Sequence, residues 1–170
     1  MKVLVAMVGL LAASPAAAEV VSASANGFHL RHSVTMAAGP DAAFDAFAKI
    51  DRWWSPDHTY GGDASRLSLA LKPGGCFCEA LTGGGIEHLR VNYVDRPKRL
   101  VLTGALGPLL YHAVAGVMDV RIESDGAGTK VTLDFKAAGF ATGGADTLAP
   151  AVDKVLGDQF TRYAAFAREP

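Results

Sequence analysis

Apolar and polar residues alternate along most of the chain after its first two dozen positions. From Phe28 to Thr35, residues Phe28, Leu30, His32 and Val34 share one face, while His29, Arg31, Ser33 and Thr35 share the other. A period of two is the signature of a strand with one buried face. Gly39-Pro40-Asp41 ends this run, and the spacing becomes helical over Asp41–Ile50. Phe44, Phe47 and Ile50 form the stripe, with Asp41 as N-cap or first-turn acid. The helix runs into Trp53-Trp54 and stops by Ser55-Pro56, since proline cannot continue it.

Strand patterns then return. Leu67, Leu69 and Leu71 alternate with Ser68 and Ala70. The stretches GGCFCEAL and IEHLRVNYV flank Thr82-Gly83-Gly84-Gly85 as a hairpin. RLVLTGAL follows the break at Arg96-Pro97. Val114–Glu123 and Thr129–Ala137 form another hairpin across Ser124–Gly128, with Val131, Leu133 and Phe135 on the inner face. The last segment, from Thr147, is the longest helix. Leu148, Val152, Val155, Gln159, Tyr163 and Phe166 fall near one face. Gly157 sits in its middle at a cost of up to about 1 kcal/mol against alanine, so a packing or functional reason is expected there. Grouped strands followed by a helix indicate an α+β fold, a curved antiparallel sheet around the C-terminal helix. Such a sheet leaves a cavity where it does not touch the helix.

Composition adds that 170 residues suit one domain and that 50% hydrophobic residues supply a core. A net charge of −1 with no Lys/Arg cluster argues against nucleic acid as a partner. The N-terminus reads as a targeting segment. Lys2, an apolar run from Val3 to Ala13 and Ala16-Ala17-Ala18 match the three parts of a secretory signal peptide. The run is short for a membrane span, which needs about 20 residues. The expected layout is therefore a signal peptide over 1–18, a flexible N-terminus over 19–27 and one ligand-binding domain over 28–170. The alternative is a retained membrane anchor. Cleavage implies an exported protein without a stable anchor, periplasmic if the source is Gram-negative and secreted otherwise. The residue directly after the cleavage site is Glu19 and not a cysteine, which argues against a lipoprotein signal.

The stretches PDAAFDAFAKIDRWW, LKPGGCFCEAL, VDRPKRLVLTG and GTKVTLDF, in this order before a long helix, carry a family resemblance. The chain from Phe28 to Arg168 resembles the START / polyketide cyclase / SRPBCC superfamily, nearest the branch related to the activator of heat-shock ATPase. The resemblance implies a helix-grip fold with a deep apolar pocket. Members bind lipids, sterols, polyketides or other hydrophobic molecules, and some catalyse cyclisation or dehydration in the pocket.

Together these readings predict a protein that binds a hydrophobic or amphipathic small molecule under the C-terminal helix, with no cofactor, as a monomer or weak homodimer. The expected wall comprises Trp54, Leu69, Cys78, Leu89, Val91, Tyr93, Met118, Phe135, Val155, Gln159 and Tyr163. The alternative is a cyclase, dehydratase or hydrolase acting in the same cavity. Its general base would be His32 or His58, and Tyr60 or Tyr163 would donate a hydrogen bond. A third reading is metal handling by Cys76 and Cys78, which share a strand face two residues apart. Parity around a four-residue TGGG loop sets Cys78 opposite Leu89 and Cys76 opposite Val91. Both cysteines then face inward as buried thiols, and Glu79 pairs with His88 on the outer face. A disulfide is the other option, although a flat strand separates such side chains poorly for one. In RWWSPDHTYGG (Arg52–Gly62) the choice is between an Asp57/His58 acid–base pair, packing tryptophans, and a pocket rim with His58 and Tyr60 as polar tips. The loop GPLLYHAVAG, which holds His112, is either a pocket lid or an ordinary strand connection. No nucleophile-elbow, zinc-protease or phosphate-loop motif is present.

Overall fold

A computed structural model of the protein describes residues 17–126 and 128–168. The segment assigned to the signal peptide, apart from Ala17 and Ala18, lies outside the described residues. Eight antiparallel strands form one sheet: β1 (Ala17–Ser24), β2 (Gly27–Met36), β3 (Leu67–Leu69), β4 (Cys76–Leu81), β5 (Gly84–Asp95), β6 (Arg99–Gly104), β7 (Val114–Asp125) and β8 (Gly128–Gly139). Their order across the sheet is β1-β2-β8-β7-β6-β5-β4-β3. The sheet wraps the helix α3 (Ala149–Phe166), which packs on β2 and β1, while α1 (Pro40–Ala48) packs on β7 and β8. This is the α+β helix-grip architecture expected from the order of elements. Among the described residues no helix is long and apolar enough to cross a membrane.

The N-terminal boundary differs from expectation. Residues 19–24, assigned to a flexible terminus, belong to β1 and pair with β2. No clean alternation marks this strand because it is an edge, with Val20 and Val21 both exposed next to a register break. A strand exposed along one edge need not bury every second side chain.

The first helix also divides. Gly39 precedes Pro40, Asp41 sits in the first turn as expected, and α1 ends at Ala48 with Lys49 as its C-cap. A short second helix, α2 (Ile50–Trp53), turns the chain so that Phe44, Phe47, Ile50 and Trp53 are all buried.

Two bulges in β5 reset the inside–outside parity, and they account for the main departures from the expected wall. Phe77 pairs with Leu89, but Cys78 pairs with Glu87, so His88 is the extra residue. Consequently His88 and Leu89 both point inward. Opposite them the larger apolar side chain takes the interior: Phe77 is buried, Glu79 follows it inward, and Cys76 and Cys78 turn to the outer face. The second break falls at Asn92, between Val91 and Tyr93. It leaves Tyr93 on the outer surface, 48% exposed, rather than on a cavity wall. A bulge adds one residue and bends the strand, and strict alternation does not anticipate it.

On the outer face of the sheet centre, the carboxylate of Asp134 accepts from His29 Nε2 at 2.6 Å, Arg31 Nε at 2.9 Å and Arg121 at 2.7 Å. Burial works to raise its pKa, but these hydrogen bonds and cations outweigh it and hold the carboxyl below its usual value.

Candidate functional site

The core under α3 is filled. Tyr163, Phe160, Phe47 and Trp53 pack ring against ring, with centroids 5.3–5.6 Å apart. Leu89, Val91, Phe135 and Tyr163, expected on the cavity wall, are instead fully buried core residues that line neither the small gap in this core nor the cleft beside it. Tyr163 donates its hydroxyl to the Ala43 carbonyl at 2.8 Å, and burial pushes its phenol up. Trp54, Leu69, Met118 and Gln159 surround a gap of only about 10 Å³, room for one water at most.

The substantial cavity lies beside this core, at one end of α3. It is a cleft of about 350 Å³, at the lower end of the ~300–1,000 Å³ of small-molecule pockets. Four elements build it. Leu148, Ala151, Val152, Val155 and Leu156 come from α3 and the turn before it. Leu106–Leu109 and His112 come from the Gly/Pro loop between β6 and β7, the lid candidate, which forms a 3-10 helix over Gly107–His112. Trp54 and Asp57–Tyr60 come from RWWSPDHTYGG, and His88 comes from the β5 bulge. Of the eleven side chains expected on the wall, Trp54 and Val155 line this cleft. The helical stripe misled because the core side of α3 is centred on Leu156, Phe160 and Tyr163, which turns Val152 and Val155 toward the cleft.

The RWWSPDHTYGG segment is fixed by hydrogen bonds along its length. Trp53 Nε1 donates to Ala46 O at 3.1 Å, and Trp54 Nε1 donates to His58 O at 3.0 Å. The Ser55 amide donates to Gln159 Oε1 at 2.7 Å. The amides of Tyr60 and Gly61 donate to the two oxygens of Glu79 at 3.0 and 2.6 Å. Gly61 allows that approach, because a Cβ there would stand 3.2 Å from Glu79 Oε1. Trp53 thus belongs to the core, and Trp54 joins core to cleft.

Glu79 is 1% exposed and His88 is 4% exposed, with His88 Nε2 3.3 Å from Glu79 Oε2. The expected Glu79–His88 pairing therefore exists, but on the inner face. Burying a carboxylate is costly unless its oxygens are satisfied. Here two amides and an imidazole satisfy them. Burial lowers the His88 pKa against the opposing pull of Glu79. Neither nitrogen of His88 is presented to the cleft, since Nε2 faces Glu79 and Nδ1 is covered and unpartnered. His88 and Glu79 anchor the cleft wall rather than offer a base.

The other candidates separate. Asp57 and His58 occupy one exposed 3-10 turn and make no side-chain hydrogen bond to each other among the described residues. Tyr60 stands at the rim, 38% exposed, with its ring 6.3 Å from that of Tyr111. Burial, Tyr111 and the Glu79 charge push its phenol up to about 12, so it stays a hydrogen-bond donor at neutral pH. His32 is completely buried between β2 and α3, away from the cleft, with Nε2 3.1 Å from Asp153 but not aligned as a hydrogen bond. Burial lowers its pKa, opposed by Asp153. Gly157 lies over it, and a Cβ there would be 3.3 Å from His32 Cε1. That close approach is the packing reason for a glycine in mid-helix.

Both buried imidazoles give stability the same pH dependence. Above pH 6.5 they are neutral in the folded and unfolded chain. Below 6.5 the unfolded chain binds protons that the fold resists, so stability falls with pH until the lowered folded values are reached. Thermal unfolding from pH 8 to 5 is expected to show this loss, and His32→Gln is expected to flatten it. An unchanged slope in that variant would remove His32 from the cause.

Cys76 and Cys78 form a disulfide on the outer face of β4. Their thiols are therefore neither buried nor available as metal ligands in this state. The Cα atoms are 5.3 Å apart, closer than the ~6.6 Å of two residues in a flat strand, next to the β5 bulge.

No family model matches the chain, and no curated protein is similar to it. Solved structures share its fold. An uncharacterized protein from Rhizobium leguminosarum is 19% identical, with a TM-score of 0.60 over 91% of this chain and 98% of that one. The Mll3558 protein from Rhizobium loti is 20% identical, with a TM-score of 0.60 over 90% and 99%. CalU16 from Micromonospora echinospora is 16% identical, with a TM-score of 0.55 over 95% and 78%. At these identities the likeness concerns the fold: a curved antiparallel sheet with a C-terminal helix is common to all of them.

Proposed function

We propose that the protein binds a hydrophobic or amphipathic small molecule in the cleft between α3, the Gly107–His112 turn and the Trp54–Tyr60 loop. The observation that carries this reading is the cleft itself: about 350 Å³, walled by Trp54, Leu106, Leu109, Val152, Val155 and Leu156. Apolar burial would supply the affinity, and the polar groups of His58, Tyr60 and His112 at one side would orient the ligand. The covered nitrogens of His88 and the lack of a side-chain hydrogen bond between Asp57 and His58 favour binding over acid–base catalysis. The START / SRPBCC resemblance points the same way, toward a lipid-like or polyketide-like ligand. An exported location remains part of this proposal and rests on the N-terminal sequence.

Native mass spectrometry of protein purified from its own host is expected to release a lipid-like mass. Val155→Trp would fill the cleft from α3, because Val155 lines it without belonging to the buried core. That variant is expected to bind an apolar fluorescent probe at least tenfold more weakly with little change in Tm. Equal binding by both proteins would move the ligand out of this cleft.

A further inference from the structure

The Cys76–Cys78 bond does little for the fold. It joins residues two apart in a strand already paired on both sides, to β3 and to β5. The stabilisation from a disulfide grows with the loop it closes, and this is among the smallest loops possible. These are the only two cysteines of the chain, so neither has another intramolecular partner. Both are half-buried, on the polar face of the sheet away from the core. Arg90 pairs directly with Cys76 across the ladder, and Glu87 pairs with Cys78. The guanidinium is held in place by Glu87 and by the Gly74 carbonyl at 2.9 Å. A carboxylate oxygen of Glu87 and both Sγ atoms lie within 4.8 Å of one another.

We infer that Cys76–Cys78 is a redox site that exchanges with thiols at the protein surface. An incoming thiolate attacks Cys78 Sγ, forming a mixed disulfide and breaking the Cys76–Cys78 bond. Cys76 leaves as a thiolate; its cross-strand partner Arg90 supplies a cation of the kind that stabilises a thiolate, against the opposing charge of Glu87. A second thiolate attacks the sulfur of the first in that mixed disulfide. It releases Cys78 as a thiolate and leaves the two incoming sulfurs bonded to each other. Two electrons pass to the cysteine pair, and solvent supplies the protons that the cysteines take up. A disulfide-bearing partner reverses both steps. The thiol could come from a small molecule or from a protein cysteine pair.

The test equilibrates the folded protein with millimolar mixtures of reduced and oxidised glutathione, then acid-quenches, alkylates and weighs it. The expected result is two alkylated cysteines under reducing mixtures without denaturant, with Tm changed by no more than a few degrees. A pair that reacts only after unfolding, or a large fall in Tm on reduction, would make the bond structural and overturn the proposal. Arg90→Ala is expected to slow reduction several-fold and Arg90→Lys to restore most of the rate. Equal rates in all three proteins would overturn the assigned leaving-group role. Rates with glutathione and with a reduced protein dithiol, at equal thiol concentration, identify the source.

Discussion

Trp53→Ala is expected to destabilise the protein by about 3–5 kcal/mol, the usual cost of deleting a fully buried aromatic side chain. Three losses combine. The ring leaves Phe47, Trp54 and Tyr163, whose centroids stand 5.4–5.7 Å away. The Ala46 and Phe47 carbonyls lose their Nε1 donor. The Trp53 carbonyl also accepts from Arg162 Nε at 2.9 Å, tying α2 to α3, and that link loosens as the helix end shifts. For a chain of this size the fall in Tm is on the order of 10 °C. Trp54→Ala provides the contrast. It removes cleft wall as well as core, so probe binding is expected to suffer in addition to stability. Differential scanning calorimetry on both variants checks the pair. A Trp53 variant within a degree or two of the parent would mean that the α2–α3 junction is not part of the cooperative core.

Glu79→Ala is the second large effect, and it acts through polar groups. Removing the carboxylate leaves the part-buried Tyr60 and Gly61 amides and the buried His88 Nε2 without their partner. An orphaned buried donor costs about 1–3 kcal/mol, so about 3 kcal/mol in total is expected after partial relaxation. The loop carrying Asp57–Tyr60 would lose its tether to the sheet, and probe binding in the cleft is expected to weaken with it. Glu79→Gln restores acceptor capacity with one oxygen only and should fall between the two. Denaturant unfolding and probe titration measure both consequences. A stable Glu79→Ala protein with intact binding would show that the loop holds its position without the carboxylate.

Periodicity revealed the architecture because period two and period 3.6 are direct consequences of burying one face. Seven of the strands and the long helix follow from it. The site was less legible for physical causes that can be named. Parity along β5 holds only until the first extra residue, and nothing in EHLRVNY marks His88 or Asn92 as that residue. Once His88 turns inward, Glu79 follows and Cys78 turns outward, and the second extra residue, Asn92, turns Tyr93 outward. One signal was present: Phe77 and the cysteines compete for the same interior, and phenylalanine buries more apolar area than cysteine. The lid loop was visible as a Gly/Pro-bounded apolar stretch, but its sharing a cleft with α3 and Trp54 depends on tertiary packing. The edge strand β1 lacked a pattern because one of its sides has no neighbour.

The order of strands also sets the order in which the molecule can assemble. From β3 to β8 each strand lies beside the next in the chain, so that part of the sheet grows by successive hairpins. β2 instead pairs with β8, Gly27 against Ala138 and Met36 against Thr129, across almost the whole domain. Closing so long a loop costs chain entropy before any contact repays it, and topologies rich in distant pairings fold slowly. The β2–β8 ladder is therefore expected to close last and to limit the rate. Pulsed hydrogen exchange during refolding would then find the amides of β7 protected before those of β2, and the reverse order would contradict it. Because α3 packs on β2, the grip on the terminal helix would tighten only at that final step.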